Sequence, residues 1–196
     1  MVDPGAQSSQ TLPVERCGGF SVEVGGSGEG LTLVLGGARS GKSRHAEGLV
    51  TAGPAPWLYV ATAQAFDEEM QSRIEEHRAR RAQGWLTLEA PVELAALVAR
   101  EGVGGASILV DCATLWLSNM LLAGREVDAE VNGLLAALAG AAARIVVVSN
   151  EVGQGIVPDN ALARAFRDHQ GRLNQRLAAQ AGRVILTVAG LPLTLK

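Results

Sequence analysis

The stretch Gly36-Gly37-Ala38-Arg39-Ser40-Gly41-Lys42-Ser43 constrains this chain more than any other. It follows the apolar run Leu31–Leu35 and opens a helical pattern over Ser43–Thr51. A Gly-x-x-x-x-Gly-Lys-Ser string between a buried strand and a helix has the layout of a phosphate-binding loop. Its glycines let the backbone curl, so that successive N–H groups point inward at phosphate oxygens. The helix N-terminus adds the positive end of a dipole. In such a loop Lys42 reaches the β- and γ-phosphates, and the Ser43 hydroxyl ligates Mg²⁺.

A loop of this kind needs a parallel sheet behind it, and the rest of the chain supplies one. Short, nearly unbroken apolar runs recur at Trp57–Ala61, Ile108–Val110, Ile145–Val148 and Val184–Val188. Runs of this length suit strands buried on both faces. Helical patterns lie between them, over Asp67–Arg81, Pro91–Arg100, Glu130–Ala143 and Asn160–Ala181. Pro91 stands at the first position of its pattern, and Leu162, Phe166, His169, Leu173 and Leu177 form one stripe of the last. Trp85–Leu88 reads as an extra edge strand. The expected fold is a single α/β domain of the P-loop NTPase-like type, with a mainly parallel sheet and helices on both faces. It spans residues 31–196. Residues 1–30, rich in Gly, Ser, Gln and Pro, read as a flexible extension.

Ligands of such sheets bind at the carboxyl ends of the strands. That gathers the phosphate loop, the turn Ala61-Thr62-Ala63, Asp111-Cys112 and the loop Ser149–Pro158 around one site. Asp111 can be read in two ways. It is the carboxylate that holds Mg²⁺ at the end of an apolar strand adjacent to the loop strand, or it caps the helix that follows.

Composition narrows the function. A net charge of −3 implies no general affinity for nucleic acid or anionic membranes. No run approaches the ~18 apolar residues of a membrane span, and no signal peptide is evident. The two cysteines, Cys17 and Cys112, form no CxxC or Cys/His cluster, which fits a reducing cytoplasm. A guanine-reading Asn-Lys-x-Asp is absent where Ser149-Asn150-Glu151-Val152 stands, which argues against a GTPase switch.

His45 and His169 read as packing or surface residues. His77 differs, because it shares a helical face with Met70 and Ile74 and has Arg78 and Arg81 beside it. Arginines there suit a triphosphate. An imidazole can attack the α-phosphorus of a nucleotide, displace pyrophosphate and leave a phosphoramidate. A half-buried histidine on an Arg-rich amphipathic helix is the plainer reading of the same residues.

Several segments together resemble the bifunctional adenosylcobinamide kinase/adenosylcobinamide-phosphate guanylyltransferase family of cobalamin biosynthesis. They are Gly36–Glu47, Tyr59–Gln64, the Arg73-Ile74-x-x-His77-Arg78 core, Trp85–Glu89, Ser149–Pro158 and Leu162–Leu177. The resemblance implies phosphorylation of adenosylcobinamide by ATP or GTP. It then implies transfer of GMP from GTP to adenosylcobinamide-phosphate through a guanylylated histidine, which aligns with His77. It implies nucleotide contacts at Gly36 to Ser43, Ala61, Thr62, Ala63, Arg78, Ala79, Arg80, Arg81, Glu89 and Asp111. It also implies Mg²⁺ at Ser43 and Asp111, a homotrimer, and a cytoplasmic enzyme without nucleic-acid partners. Lys42 and His77 are the expected catalytic residues. Arg164, Asp168, Gly171 and Asn174 share one side of the last helix, which suits either corrinoid contact or solvent. A monofunctional small-molecule kinase with a structural His77 is the alternative reading.

Overall fold

The computed structural model describes residues 30–64 and 83–196. His77, Arg78, Ala79, Arg80 and Arg81, with the helical pattern Asp67–Arg81, lie outside the described residues, as does the N-terminal extension through residue 29. The described strands are β1 (Leu31–Gly36), β2 (Trp57–Ala61), β3 (Trp85–Glu89), β4 (Ser107–Asp111), β5 (Ile145–Asn150), β6 (Arg183–Val188) and β7 (Leu191–Thr194). The helices are α1 (Lys42–Thr51), α2 (Leu94–Glu101), α3 (Ala113–Leu122), α4 (Val127–Gly140) and α5 (Ala161–Gln180). The strands form one sheet in the order β3-β2-β4-β5-β1-β6-β7. All pairings are parallel except β6 with β7. This is the expected mainly parallel α/β sheet, with β3 at one edge as predicted.

Strand alternation divides the core in two. Val34, Tyr59, Leu109, Val146 and Val148 face α1 and pack with Ala46 and Val50. Their neighbours Leu33, Leu35, Val60, Val110 and Val147 face the other way and pack with α2 to α5. Edge strand β3 is held by an aromatic group: Trp57 and Trp85 have ring centroids 5.6 Å apart, and Tyr59 meets Trp85 edge-on at 6.1 Å.

Several expectations change. The strand that ends at Asp111 is not adjacent to β1, because β5 lies between them. Helix α2 begins at Leu94, not Pro91, with Glu93 at its cap. Helix α4 runs from Val127 to Gly140, three residues earlier at each end than its predicted span. Helix α3 had no counterpart in the sequence reading; Ala113, Thr114, Trp116, Leu117, Asn119 and Met120 are all buried, so it carries no clear amphipathic period. Strand β7 was also unforeseen, and all four of its residues are exposed. On α5 the inward face is Gln170, Leu173, Asn174 and Leu177, while Leu162 at the head of the predicted stripe is exposed.

Candidate active site

Register lines up the carboxyl edge of the sheet. Glu89 pairs with Ala61, Ala61 with Asp111, and Asp111 with Val148. Two residues farther on, Asn150 pairs with Gly36, and Gly36 with Thr187. The phosphate loop, the β2 turn, Asp111 and the β5 loop therefore share one edge, as expected, and Glu89 joins them at the end of β3.

The loop is built from backbone. Gly41 precedes α1 with φ 94°, a conformation that favours glycine. A Cβ on Gly36 would fall 2.7 Å from the carbonyl oxygen of Thr187 and collide with Ser40 Oγ. Arg39 also holds a positive φ, 55°, and is exposed beside Gly37 and Ala38. Two outside contacts fix the loop. Gly190 N–H donates to the Ser40 carbonyl at 2.9 Å, and Glu151 N–H donates to the Gly36 carbonyl at 3.1 Å. Gly190 belongs to the tight β6–β7 turn, where Ala189 and Gly190 have φ 51° and 82°.

Lys42 opens α1, and its Nζ donates to the Gly37 carbonyl at 2.9 Å. Burial lowers its pKa, and the nearby Cys112 and Asp111 partly offset that. The lysine thus lies within the field of the strand-end acid. Asp111 does not cap α3, whose cap residue is Cys112, with no side-chain cap bond. Its Oδ2 instead accepts the Tyr59 hydroxyl at 3.1 Å. Ser43 and Asp111 offer a hydroxyl and a carboxylate, the hard oxygen donors that Mg²⁺ takes alongside substrate phosphates.

The β2 turn has a supporting part as well. Thr62 is fully buried; its hydroxyl donates to the Cys112 carbonyl at 2.7 Å and accepts from the Cys112 N–H at 2.8 Å. Asn119 Nδ2 donates to the carbonyls of Thr62 and Pro91, both at 2.9 Å. Together they lock β2, α3 and the Asp111 turn. Burial raises the Cys112 thiol to about 11, so it is an inert packing group. Ala63 is half-buried and Glu89 exposed at the same edge.

Behind the β5 tip lies a buried polar network that no sequence pattern announced. Ser149 Oγ donates to Asn174 Oδ1 at 2.6 Å. Gln170 Nε2 donates to Ser149 Oγ and to Asn174 Oδ1, each at 2.9 Å. Asn174 Nδ2 donates to the Asn150 carbonyl at 2.9 Å, and Asn150 N–H donates to Thr114 Oγ1 at 2.7 Å. Asn174 is only 6% exposed, so it does not share an open face with Asp168. Arg164 is committed too: its guanidinium donates to the carbonyls of Pro158 and Asp159 at 3.0 and 2.7 Å. The row Arg164, Asp168, Gly171 and Asn174, read as suiting either corrinoid contact or solvent, therefore loses Asn174 to the interior. Half-buried His45 has its pKa lowered by burial and by Arg183, and its place one turn into α1 fits its reading as a packing residue.

The comparisons with known proteins agree with one another. Residues 32–195 match the family model described as cobinamide kinase / cobinamide phosphate guanyltransferase. A bifunctional adenosylcobalamin biosynthesis protein, CobP, of Pseudomonas aeruginosa is 51% identical over 166 residues, covering 84% of this chain and 96% of that one. Bifunctional adenosylcobalamin biosynthesis proteins CobU of Salmonella typhimurium and Escherichia coli are 44% and 41% identical. Each comparison covers 85% of this chain and 99% of the relative.

Proposed function

The chain belongs to the cobinamide kinase / cobinamide phosphate guanyltransferase family, and on that premise we propose that one phosphate cradle serves two transfers. The protein is a bifunctional cobinamide kinase and cobinamide phosphate guanylyltransferase of cobalamin biosynthesis. The observation that carries the reading of the site is the shared carboxyl edge, where the Gly36–Ser43 loop and Asp111 stand one strand apart.

In the kinase step the acceptor hydroxyl of adenosylcobinamide attacks the γ-phosphorus of ATP or GTP. The bond to the β,γ-bridging oxygen breaks, and the nucleoside diphosphate leaves with the electron pair. Lys42 and the loop N–H groups neutralise charge on the phosphoryl oxygens. Ser43 and Asp111 would hold Mg²⁺, which supplies further charge neutralisation when bound. Tyr59, donating to Asp111, fixes the carboxylate. Ala61, Ala63 and Glu89 line the nucleotide side of the same edge, and Thr62, fully buried with its hydroxyl, N–H and carbonyl all engaged inside the protein, holds that turn in shape.

In the guanylyl step a nitrogen of neutral His77 attacks the α-phosphorus of GTP, and pyrophosphate departs with the electron pair. The phosphate oxygen of adenosylcobinamide-phosphate then attacks the same phosphorus. The P–N bond breaks, restoring the imidazole and releasing adenosylcobinamide-GDP. Arg78, Ala79, Arg80 and Arg81, next along the chain, bind the triphosphate.

We place this chemistry in the cytoplasm, in a domain of residues 31–196 that follows an N-terminal extension, and in a homotrimer. Exposed Val188, Leu191, Leu193 and Leu195 along the β6–β7 edge support assembly, since an apolar strand edge invites pairing.

Incubation with α-labelled GTP tests the nucleophile. The protein should acquire acid-labile, alkali-stable label that maps to a peptide containing His77, and His77→Ala should abolish it. Full labelling of His77→Ala would remove His77 from the mechanism.

A further inference from the structure

We infer that Asn150 contacts the transferring phosphoryl group and the attacking hydroxyl in the kinase step, an inference that rests on the kinase reading above. Three observations converge on this residue.

The first is position. Strand β5 lies between the loop strand and the strand of Asp111. It runs two residues past the register of Asp111, so its last residue, Asn150, stands beside Gly36 at the start of the cradle. The second is direction. Val146 and Val148 face α1, so strand alternation turns the Asn150 side chain to that face. Asp111 follows Leu109 onto it by the same rule. Both are thereby on the side of the sheet where Lys42 and Ser43 begin α1.

The third is an unpaired polar atom on a pinned backbone. The Asn150 carboxamide oxygen is buried and has no hydrogen-bond partner among the described residues. Ser40 Oγ, inside the loop, and Thr187 Oγ1, across from Gly36 on β6, are buried and unpaired in the same way, so three such atoms surround Gly36. Buried groups of this kind are costly unless a ligand completes them. The Asn150 backbone, meanwhile, is held on both sides: Thr114 accepts its N–H and Asn174 donates to its carbonyl. Four residues from three elements thus hold the backbone from which this short side chain projects.

A carboxamide there can do two things at once. Its oxygen accepts from the acceptor hydroxyl, and its NH₂ donates to a γ-phosphoryl oxygen, aligning the two for in-line attack. It takes no proton. The hydroxyl proton passes to an oxygen of the phosphate ester formed and from there to solvent, while the nucleoside diphosphate leaves with the bridging oxygen.

The test is Asn150→Ala and Asn150→Ser in the full-length protein, assayed with adenosylcobinamide and ATP or GTP. Kinase kcat should fall about 10²- to 10³-fold, the loss typical of one removed donor. The melting temperature should stay within a few degrees of wild type, and nucleotide affinity and the rate of labelling from α-labelled GTP should each fall by at least tenfold less than kinase kcat. A kinase kcat within threefold of wild type in a folded variant would overturn the proposal. So would equal losses of kinase activity, labelling and nucleotide affinity, which would mark a structural role. Should Asn150→Ala unfold, Asn150→Ser decides by the same criteria. A wild-type protein that phosphorylates no adenosylcobinamide would overturn the kinase reading and this inference with it.

Discussion

The phosphate loop and the tip of β5 stand side by side at the same sheet edge, yet they are built by opposite means. The loop is a backbone device. Its shape depends on where side chains are missing, at Gly36 and Gly41, and its charge comes from N–H groups and one lysine. The β5 tip is a side-chain device, in which Thr114, Ser149, Gln170 and Asn174 from α3, β5 and α5 hold the backbone of Asn150. The first can be written in eight consecutive residues. The second requires four residues to meet across a folded chain. A backbone device should break when a methyl is added, and a side-chain device when a polar partner is removed.

The largest break should come from Gly36→Ala. The new Cβ meets the Thr187 carbonyl, which belongs to a buried strand and cannot step aside. A loss of roughly 3 kcal/mol in unfolding free energy and at least a tenfold weaker nucleotide affinity are expected. Denaturant unfolding and nucleotide titration measure both. Unchanged binding would mean the loop yields more than its glycines imply.

Asn174→Leu should come next. It leaves the Ser149 hydroxyl, one Gln170 N–H and the Asn150 carbonyl short of partners in a dry interior. About 2 kcal/mol is expected, or a melting point lower by roughly 4–8 °C. Kinase activity should fall more than nucleotide affinity, because the damage is to the tip and not to the cradle. A loss in affinity equal to the loss in activity would erase the distinction between the two devices.

The smallest effect concerns Lys42, the one side chain on which the loop depends. Burial lowers its folded pKa below the unfolded value of 10.5. The sign follows from linkage. Between those two pKa values the unfolded chain binds more protons, so this residue's penalty on the folded state shrinks as pH rises through the window. Bound triphosphate adds negative charge and restores the protonated form. Nucleotide binding at alkaline pH should therefore take up a fraction of a proton, read by calorimetry in buffers of different ionisation enthalpy. Lys42→Met should abolish that uptake.

The same contrast explains what was legible in the sequence. The strands β1, β2, β4, β5 and β6 declared themselves as apolar runs, and the loop as a contiguous string, because both are local signals. Helix α3 hid because its ten residues are apolar nearly all round. Strand β7 hid because it is only four residues long, contains Pro192 and buries none of its side chains. Asn174 was set on the polar side of α5 from its helical spacing alone. In the fold that side is partly buried, because Ser149 lies opposite, 25 residues away in sequence. No helical wheel contains that residue. Asn150 was missed for the related reason that its importance lies in what holds it. Asp111 reads correctly as a strand end, but its strand reads as adjacent to β1, and only the fold inserts β5 between them.

The β6–β7 turn gives the exposed edge a mechanical bearing on the site. Gly190 grips the Ser40 carbonyl, and β7 starts at the very next residue. A two-residue turn has no slack to absorb a pull. Whatever docks along that edge has its hand on a short lever, and the far end of the lever is the loop.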